Sequence, residues 1–223
     1  MKVGLISDVH ANLPALDAVL DDMPAVDRIV CAGDVIGYNP WPAECVERVR
    51  EVAAETVRGN HDRTVETPGR YRANRMAEAG LEHAKASLSD DQLDWLRGLP
   101  RAETLAGGRY LLVHSHPAPE REDAYVFPEE FPTLDRHMGE YDGIVLGHTH
   151  VQGKRSVAGG VVVNPGSVGQ PRDGDPRAGY AVLDAAADEV DLRRASYDVD
   201  RVSEAVAEAG LPERTAERLY VGE

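Results

Sequence analysis

Five short motifs gather residue types that bind metals or move protons: Asp8-Val9-His10, Gly33-Asp34, Gly59-Asn60-His61-Asp62, Val113-His114 and Gly147-His148-Thr149-His150. They take five of the chain's eight histidines. Each motif follows a short apolar run of strand length, and ligands of open α/β sheets bind beyond the carboxyl ends of the strands. Five strand ends would therefore present these side chains to one edge. Carboxylate oxygen and neutral imidazole nitrogen suit Mn, Fe, Zn, Ni or Co, and no thiolate is placed to select a softer metal. Asp8, His10, Asp34, Asn60, His114, His148 and His150 are more donors than one ion takes, so two ions sharing a carboxylate is the natural arrangement. Two metals roughly 3.5–4 Å apart lower the pKa of a bridging water and clamp the oxygens of an in-line displacement. That is phosphoester chemistry. Glycines before Asp34, Asn60 and His148 fit tight strand exits where a side chain would crowd the ions.

The elements that must position these motifs follow from hydrophobic pattern. Lys2–Ser7 and Arg28–Ala32 are apolar runs that read as buried strands, and Thr56–Arg58 reads as a third. Between them, Leu13, Leu16, Val19 and Leu20 recur at helical spacing behind Asn12 as N-cap, and Pro42–Val52 is amphipathic. This β-α-β-α-β alternation predicts parallel strand pairs covered by helices. Residues 71–98 read as two helical segments divided at Ser89, where Ser89-Asp90-Asp91-Gln92 has the form of a capping box. Beyond Pro100 the pattern changes to strand pairs joined by turns: Glu103–Leu105 with Tyr110–Val113, Val151–Val157 with Val161–Asn164, and Tyr180–Leu183 with Val190–Arg194. Ile144–Leu146 supplies the strand before Gly147. The expectation is a parallel-rich sheet from the first half and an antiparallel-rich sheet from the second, in one domain spanning residues 1–223, since no linker or composition break separates them.

Composition limits the partners. The chain has 223 residues, ample for a core without staples. Its 39 acidic and 24 basic residues leave a formal net charge of −15, which disfavours nonspecific binding to nucleic acid, where neutralising phosphates dominates affinity. No apolar run approaches a membrane span. The opening residues are too short for a signal peptide, and Cys31 and Cys45 form no framework, so reduced thiols in a cytoplasm are expected. Three lysines stand against 21 arginines. Lysine scarcity with acid excess resembles proteins of a salt-rich cytoplasm, where cations screen self-repulsion; codon bias accounts for the arginine alone.

The ordered motif set strongly resembles the calcineurin-like metallophosphoesterases from residue 3 to about 184. The runs Gly33-Asp34-Val35-Ile36-Gly37-Tyr38-Asn39-Pro40-Trp41-Pro42 and Asn164-Pro165-Gly166-Ser167-Val168-Gly169-Gln170-Pro171-Arg172 look like its compact prokaryotic, phosphodiesterase-like branch. The resemblance implies a four-layer α/β/β/α sandwich of two mixed sheets flanked by helices, with a dinuclear site between them. It implies that Asp8, His10 and His150 hold one metal and Asn60, His114 and His148 the other. Asp34 would bridge, and His61 would stand free as proton donor to the leaving group. The family commonly has Gly after the fourth-strand His, where this chain has Ser115; the departure bears on the backbone path near His116.

The leading expectation is thus a metal-dependent phosphodiesterase for small or nucleotide-like substrates, using two divalent ions, Mn foremost and Ni, Co, Fe or Zn as alternatives. In-line attack by a hydroxide bridging the ions would displace an alkoxide that His61 protonates. A phosphomonoesterase or protein phosphatase is the alternative within the enzyme class, and a noncatalytic protein-binding scaffold of the same fold the alternative outside it. Four further residues are candidates for supporting or substrate roles. Asn12 reads first as a helix cap; His116 is a loop histidine near the site or at the surface; Ser167 is a turn residue or a donor to substrate. Arg172 is a turn residue or a bidentate phosphate ligand. His83 and His137 read as surface residues, and Trp41, Trp95 and the tyrosines as packing rather than a stacking platform.

Overall fold

The computed structural model describes residues 1–223. Strand β1 (Lys2–Ile6) leads through Asn12 into helix α1 (Leu13–Asp22), whose first turn is capped by the Asn12 side chain accepting from the Ala15 N–H at 3.2 Å. Strand β2 (Arg28–Cys31), helix α2 (Pro42–Val52) and strand β3 (Ala53–Thr56) complete the β-α-β-α-β run. The third strand begins earlier than Thr56–Arg58. The Ala53 N–H still closes the last turn of α2 on the Val49 carbonyl, so helix passes into strand with no loop. As an edge strand β3 needs no apolar run, which is why its pattern escaped a reading by hydrophobicity.

Helix α3 (Asn60–Thr64) is short, and α4 (Arg75–Ser87) and α5 (Asp90–Gly98) are separated at Ser89 as the pattern predicts. The Ser89 N–H donates to Gln92 Oε1 at 3.0 Å and the Gln92 N–H to Ser89 Oγ at 3.3 Å, the reciprocal bonds of a capping box. Residues 72–74 are not helical; a 3-10 turn over Pro68–Tyr71 precedes α4 instead.

Strands β4 (Ala102–Leu105), β5 (Tyr110–Val113), β6 (Gly143–Val145), β7 (Gly153–Val157) and β8 (Gly160–Asn164) form one sheet in the order β4-β5-β6-β8-β7. The hairpin of β9 (Ala178–Asp184) and β10 (Glu189–Ala195) does not join it. It returns to the first sheet, whose order is β10-β9-β1-β2-β3, with β9 antiparallel to β1. The expected division into parallel-rich and antiparallel-rich halves is therefore corrected: each sheet holds two parallel and two antiparallel pairs. The reason lies in β9. Residues Ala178–Leu183 are all buried, a pattern that suits a central strand covered on both faces.

Alternation along each strand assigns the layers. Val3 and Leu5 of β1 meet Tyr110 and Leu112 of β5, Val145 and Val163 in a core between the sheets. Ile6 and Cys31 face the other way, against α1, α2, α4 and α5 through Leu16, Val49, Leu81 and Leu96. On the far side of the second sheet, Val113, Ile144 and Val162 are covered by Phe131, Leu134 and Met138, from a 3-10 segment (Pro128–Leu134) and the one-turn helix α6 (Asp135–Met138). The four-layer sandwich is thus the observed fold, with a thin outer layer on that side. Helix α7 (Val199–Glu208) and the one-turn α8 (Arg214–Glu217) form a small core of their own around Val202, Val206 and Leu219, against Trp41 and Tyr197. No helix is long and apolar enough to cross a membrane.

Candidate metal centre

The five strand-end motifs converge at one edge of the two sheets. Asp8, His10, Asp34, Asn60, His61, His114, His148 and His150 are all buried, and their donor atoms form overlapping groups. One comprises Asp8, His10 and His150; another Asp34, His114 and His148; His10, Asp34 and His61 form a third. His10 Nε2 lies 3.0 Å from His150 Nε2, and His150 Nε2 lies 3.2 Å from Asp8 Oδ1. Asp34 Oδ2 lies 3.7 Å from His10 Nε2 and 3.4 Å from His114 Nε2, and His114 Nε2 lies 3.1 Å from Asn60 Oδ1. One carboxylate thus stands between two donor groups.

Each imidazole is oriented by its other nitrogen. Nδ1 of His10, His114 and His150 faces the carbonyls of Ile36 (3.1 Å), Ala32 (2.7 Å) and Gln170 (2.6 Å). As N–H donors there, the rings of His10 and His150 turn an Nε2 lone pair into the cluster, and the ring of His114 turns its Nε2 toward Asp34 and Asn60. His148 is reversed: Nε2 donates to the Asp123 carbonyl at 2.9 Å, which leaves Nδ1 unprotonated for the cluster. Asp8 Oδ2 accepts from Ser7 Oγ and the His148 N–H, whereas its Oδ1 is buried with no hydrogen-bond partner. A buried carboxylate oxygen without a donor, 3.2 Å from an imidazole lone pair, fits a cation's coordination shell. The residues present suit divalent metal.

The backbone is bent to achieve this. Asp8, His10, Asp34, His148 and His150 all take left-handed conformations, with φ between 46° and 70°, which L residues adopt only where surroundings enforce it. Part of the enforcement comes from Asp62, whose carboxylate accepts from the backbone N–H of Asp34, Val35 and Gly59 at 2.8, 2.9 and 3.0 Å. Gly59 and Gly147 are required by close approach: a β-carbon would overlap the Asp34 carboxylate at the first, and Ser7 with the Asp8 carboxylate at the second.

Electrostatics follow burial and the two carboxylates. Burial pushes Asp8 and Asp34 up, but the surrounding imidazoles more than reverse this, and both carboxyls lie below their ordinary range. Burial holds His10 and His150 down, and takes His61 and His148 to about 4. For His114 burial also lowers, but Asp34 beside it outweighs that and raises the imidazole to about 10.

The remaining expected residues separate by role. Asn12 caps α1 and also donates from Nδ2 to the Gly169 carbonyl at 3.0 Å. Ser167 is fully buried; its Oγ donates to the Asp8 carbonyl at 2.7 Å and accepts from the Gln170 N–H, so it faces the backbone rather than a substrate. Arg172 lines a cavity of about 200 Å³ beside the donor cluster, with Tyr38, His61, Tyr71, Tyr125 and Arg218. His116 is buried near the site, lining a small recess with Asn60 and His114, but it joins none of the donor groups: it accepts from the Ala118 N–H and packs edge-on against His137. His137 and His83 are half-buried, a correction to their expected place at the surface: each ring covers a neighbour, His83 through the Pro40 carbonyl at 3.1 Å. Ser115 replaces glycine at no backbone cost, since its φ is not left-handed, and its Oγ accepts from the Asp123 N–H that fixes the His148 contact. Sequence reasoning gave no role to Ser7, Asn39, Asp62 and Arg218, and it took the tyrosines for packing, whereas Tyr38, Tyr71 and Tyr125 line the cavity beside His61. Local signals existed for Asp62, in Gly59-Asn60-His61-Asp62, and for Tyr38 and Asn39, in the run from Gly33 to Pro42.

Comparison with known proteins agrees with this geometry. Residues 1–188 match the model of the calcineurin-like phosphoesterase superfamily domain. The crystal structure of a metallophosphoesterase from Sphaerobacter thermophilus is 35% identical and covers 100% of this chain and 99% of that one, with a TM-score of 0.85. An uncharacterised protein of Methanocaldococcus jannaschii is 32% identical over 99% of this chain and 98% of its own length. Phosphodiesterase YfcE of Escherichia coli is 30% identical over 82% of this chain and 88% of its own.

Proposed function

The chain belongs to the calcineurin-like phosphoesterase superfamily, and we propose that within it this protein is a two-metal phosphodiesterase for a small or nucleotide-like diester. The observation that carries this reading is the Asp34 carboxylate standing between two groups of buried donors. Asp8, His10 and His150 would hold one ion and Asn60, His114 and His148 the other, with Asp34 shared. When bound, two divalent ions supply positive charge for the phosphoryl oxygens and lower the pKa of the attacking water. Manganese is the expected ion; Ni, Co, Fe and Zn suit the same donors, and Mg favours all-oxygen shells.

The chain's own residues do the rest. The carbonyls of Ile36, Ala32 and Gln170 accept from Nδ1–H of three imidazoles and so aim each Nε2 at the cluster. His61 lines the cavity with Tyr38 and Tyr71 rings 4.8 and 4.9 Å from its own; in this reading it gives a proton to the departing alkoxide. Burial lowers the His61 imidazole to about 4, and the Asp34 carboxylate acts in the opposite direction. Both cysteines are buried with thiols raised by burial, and neither can serve as a nucleophile.

The test is a panel of a bis-aryl phosphodiester, an aryl monoester and cyclic nucleotides, assayed on chelated protein reloaded with Mn or Mg, alongside metal analysis. Diester turnover with about two Mn per chain is expected. A stoichiometry of one, Mg as best activator, or preference for the monoester would overturn it.

A further inference from the structure

The cavity beside the donor cluster contains two arginines, and neither is neutralised. Arg172 donates to Gln170 Oε1 at 2.6 Å and to the Tyr38 hydroxyl at 3.2 Å, and its guanidinium lies 5.7 Å from the centre of the Tyr38 ring. All of these partners are uncharged. Arg218 makes no side-chain hydrogen bond or ion pair; its charged neighbours are Arg172, Arg214 and, beyond ion-pair distance, Glu223. Every other partly buried arginine has a carboxylate within 4.0 Å, as Arg194 has Asp173 and Arg63 has Asp123. In a chain with 39 acidic and 24 basic residues, two half-buried guanidiniums left without a carboxylate are an exception that needs an anion.

The chain builds this pair from distant parts. Arg172 comes from the loop after β8. Arg218 comes from the segment that follows residue 188, beyond the extent of the family domain. Its neighbour Leu219 is fully buried in the small core of α7 and α8 against Trp41, so the segment is seated by apolar packing. The Gly174 N–H donates to the Gly222 carbonyl at 2.9 Å, which ties the tail to the Arg172 loop. Two like charges held in one cavity wall repel, and the fold opposes that repulsion with packing on both sides.

We propose that Arg172 and Arg218 form a clamp for a second phosphoryl group of the substrate, distinct from the one attacked at the metal centre. This rests on the phosphoesterase reading and narrows it to substrates with two neighbouring phosphates, of the nucleoside di- or polyphosphate kind. Paired guanidiniums present planar forks that match phosphate oxygens, whereas the metal donors cover the scissile phosphate. If the bond broken joins the two phosphates, water adds its oxygen to the attacked phosphorus and the bridging oxygen leaves on the clamped phosphate. One proton from the water is released or taken up by that product.

Calorimetry at fixed free manganese tests the clamp without turnover, using methylenediphosphonate and methylphosphonate as probes. The wild-type protein is expected to bind the diphosphonate more tightly, and Arg218→Ala or Arg172→Ala to cut that preference about tenfold or more, as loss of a charge-assisted hydrogen bond does. Arg218→Lys should restore part of it, since the charge returns without the fork. Arg201→Ala removes an exposed charge from the same segment and should leave the preference intact. No preference in the wild type, equal weakening of both probes by Arg218→Ala, or the same collapse in Arg201→Ala would overturn the clamp. Failure of the wild type to turn over any diester would instead sink the phosphodiesterase reading, with the binding preference still readable.

Discussion

Loading this site with metal should release a proton from His114 at neutral pH, in addition to any given up by Asp62, which burial and Asp34 raise to about 7. In the metal-free chain, both nitrogens of its ring face acceptors: Nδ1 the Ala32 carbonyl at 2.7 Å, Nε2 the Asn60 Oδ1 at 3.1 Å and Asp34 Oδ2 at 3.4 Å. Imidazolium is favoured there, at about 10. His10 and His150 instead set Nε2 against Nε2 at 3.0 Å, where two protons cannot fit, and burial keeps them and His148 neutral. Asp8 and Asp34 are already ionised. Metal affinity at the His114 side should therefore rise about tenfold per pH unit between roughly 7 and 9, as for any ligand that must lose one proton. Calorimetric titration with Mn in two buffers of different ionisation enthalpy measures the count, and His114→Gln should lower it by about one. The metal-free fold has the matching sign. A histidine raised in the folded state adds stability that is complete below its unfolded pKa near 6.5 and is lost as pH climbs through about 10. The apo Tm should thus fall across the alkaline range, and the loaded protein should be spared. Proton release of zero, or an affinity flat with pH, would refute this account of the site.

Other outcomes follow from the same geometry. His61→Ala should keep both metals and lower kcat by about 10²–10⁴-fold, most on alkyl esters, because an aryl oxide leaves without a proton; rescue by excess metal would make His61 a ligand. Asn60→Ala should instead weaken metal binding and recover in part with added metal. Asp62→Ala removes the acceptor that holds Asp34 in its left-handed conformation, and a loss of about 10–100-fold in metal affinity is expected; an unchanged titration would show that the strand end holds itself. The charge of −15 should make the Tm rise from low salt to molar KCl, and a Tm flat with salt would leave codon usage as the explanation of the arginines.

The donor set was legible in the sequence because its signals are local. Apolar runs, the glycines that end them, and the Asp or His that follows lie within a few residues of one another. Parallel strands then carry such ends to one edge, whatever their order. Strand order itself was not legible: that β9 lies beside β1 depends on which faces remain uncovered once α1 and the second sheet are packed. The second partner of each imidazole follows from that order, since Gln170 reaches His150 and Ser167 reaches Asp8 only after the β8–β9 loop crosses the end of β1. The same holds for His116, which shares a loop with His114 but turns to His137 instead. Arg218 had no local mark at all. One arginine among 21, it became part of the cavity because Leu219 is buried against Trp41, a contact across most of the chain that periodicity does not encode.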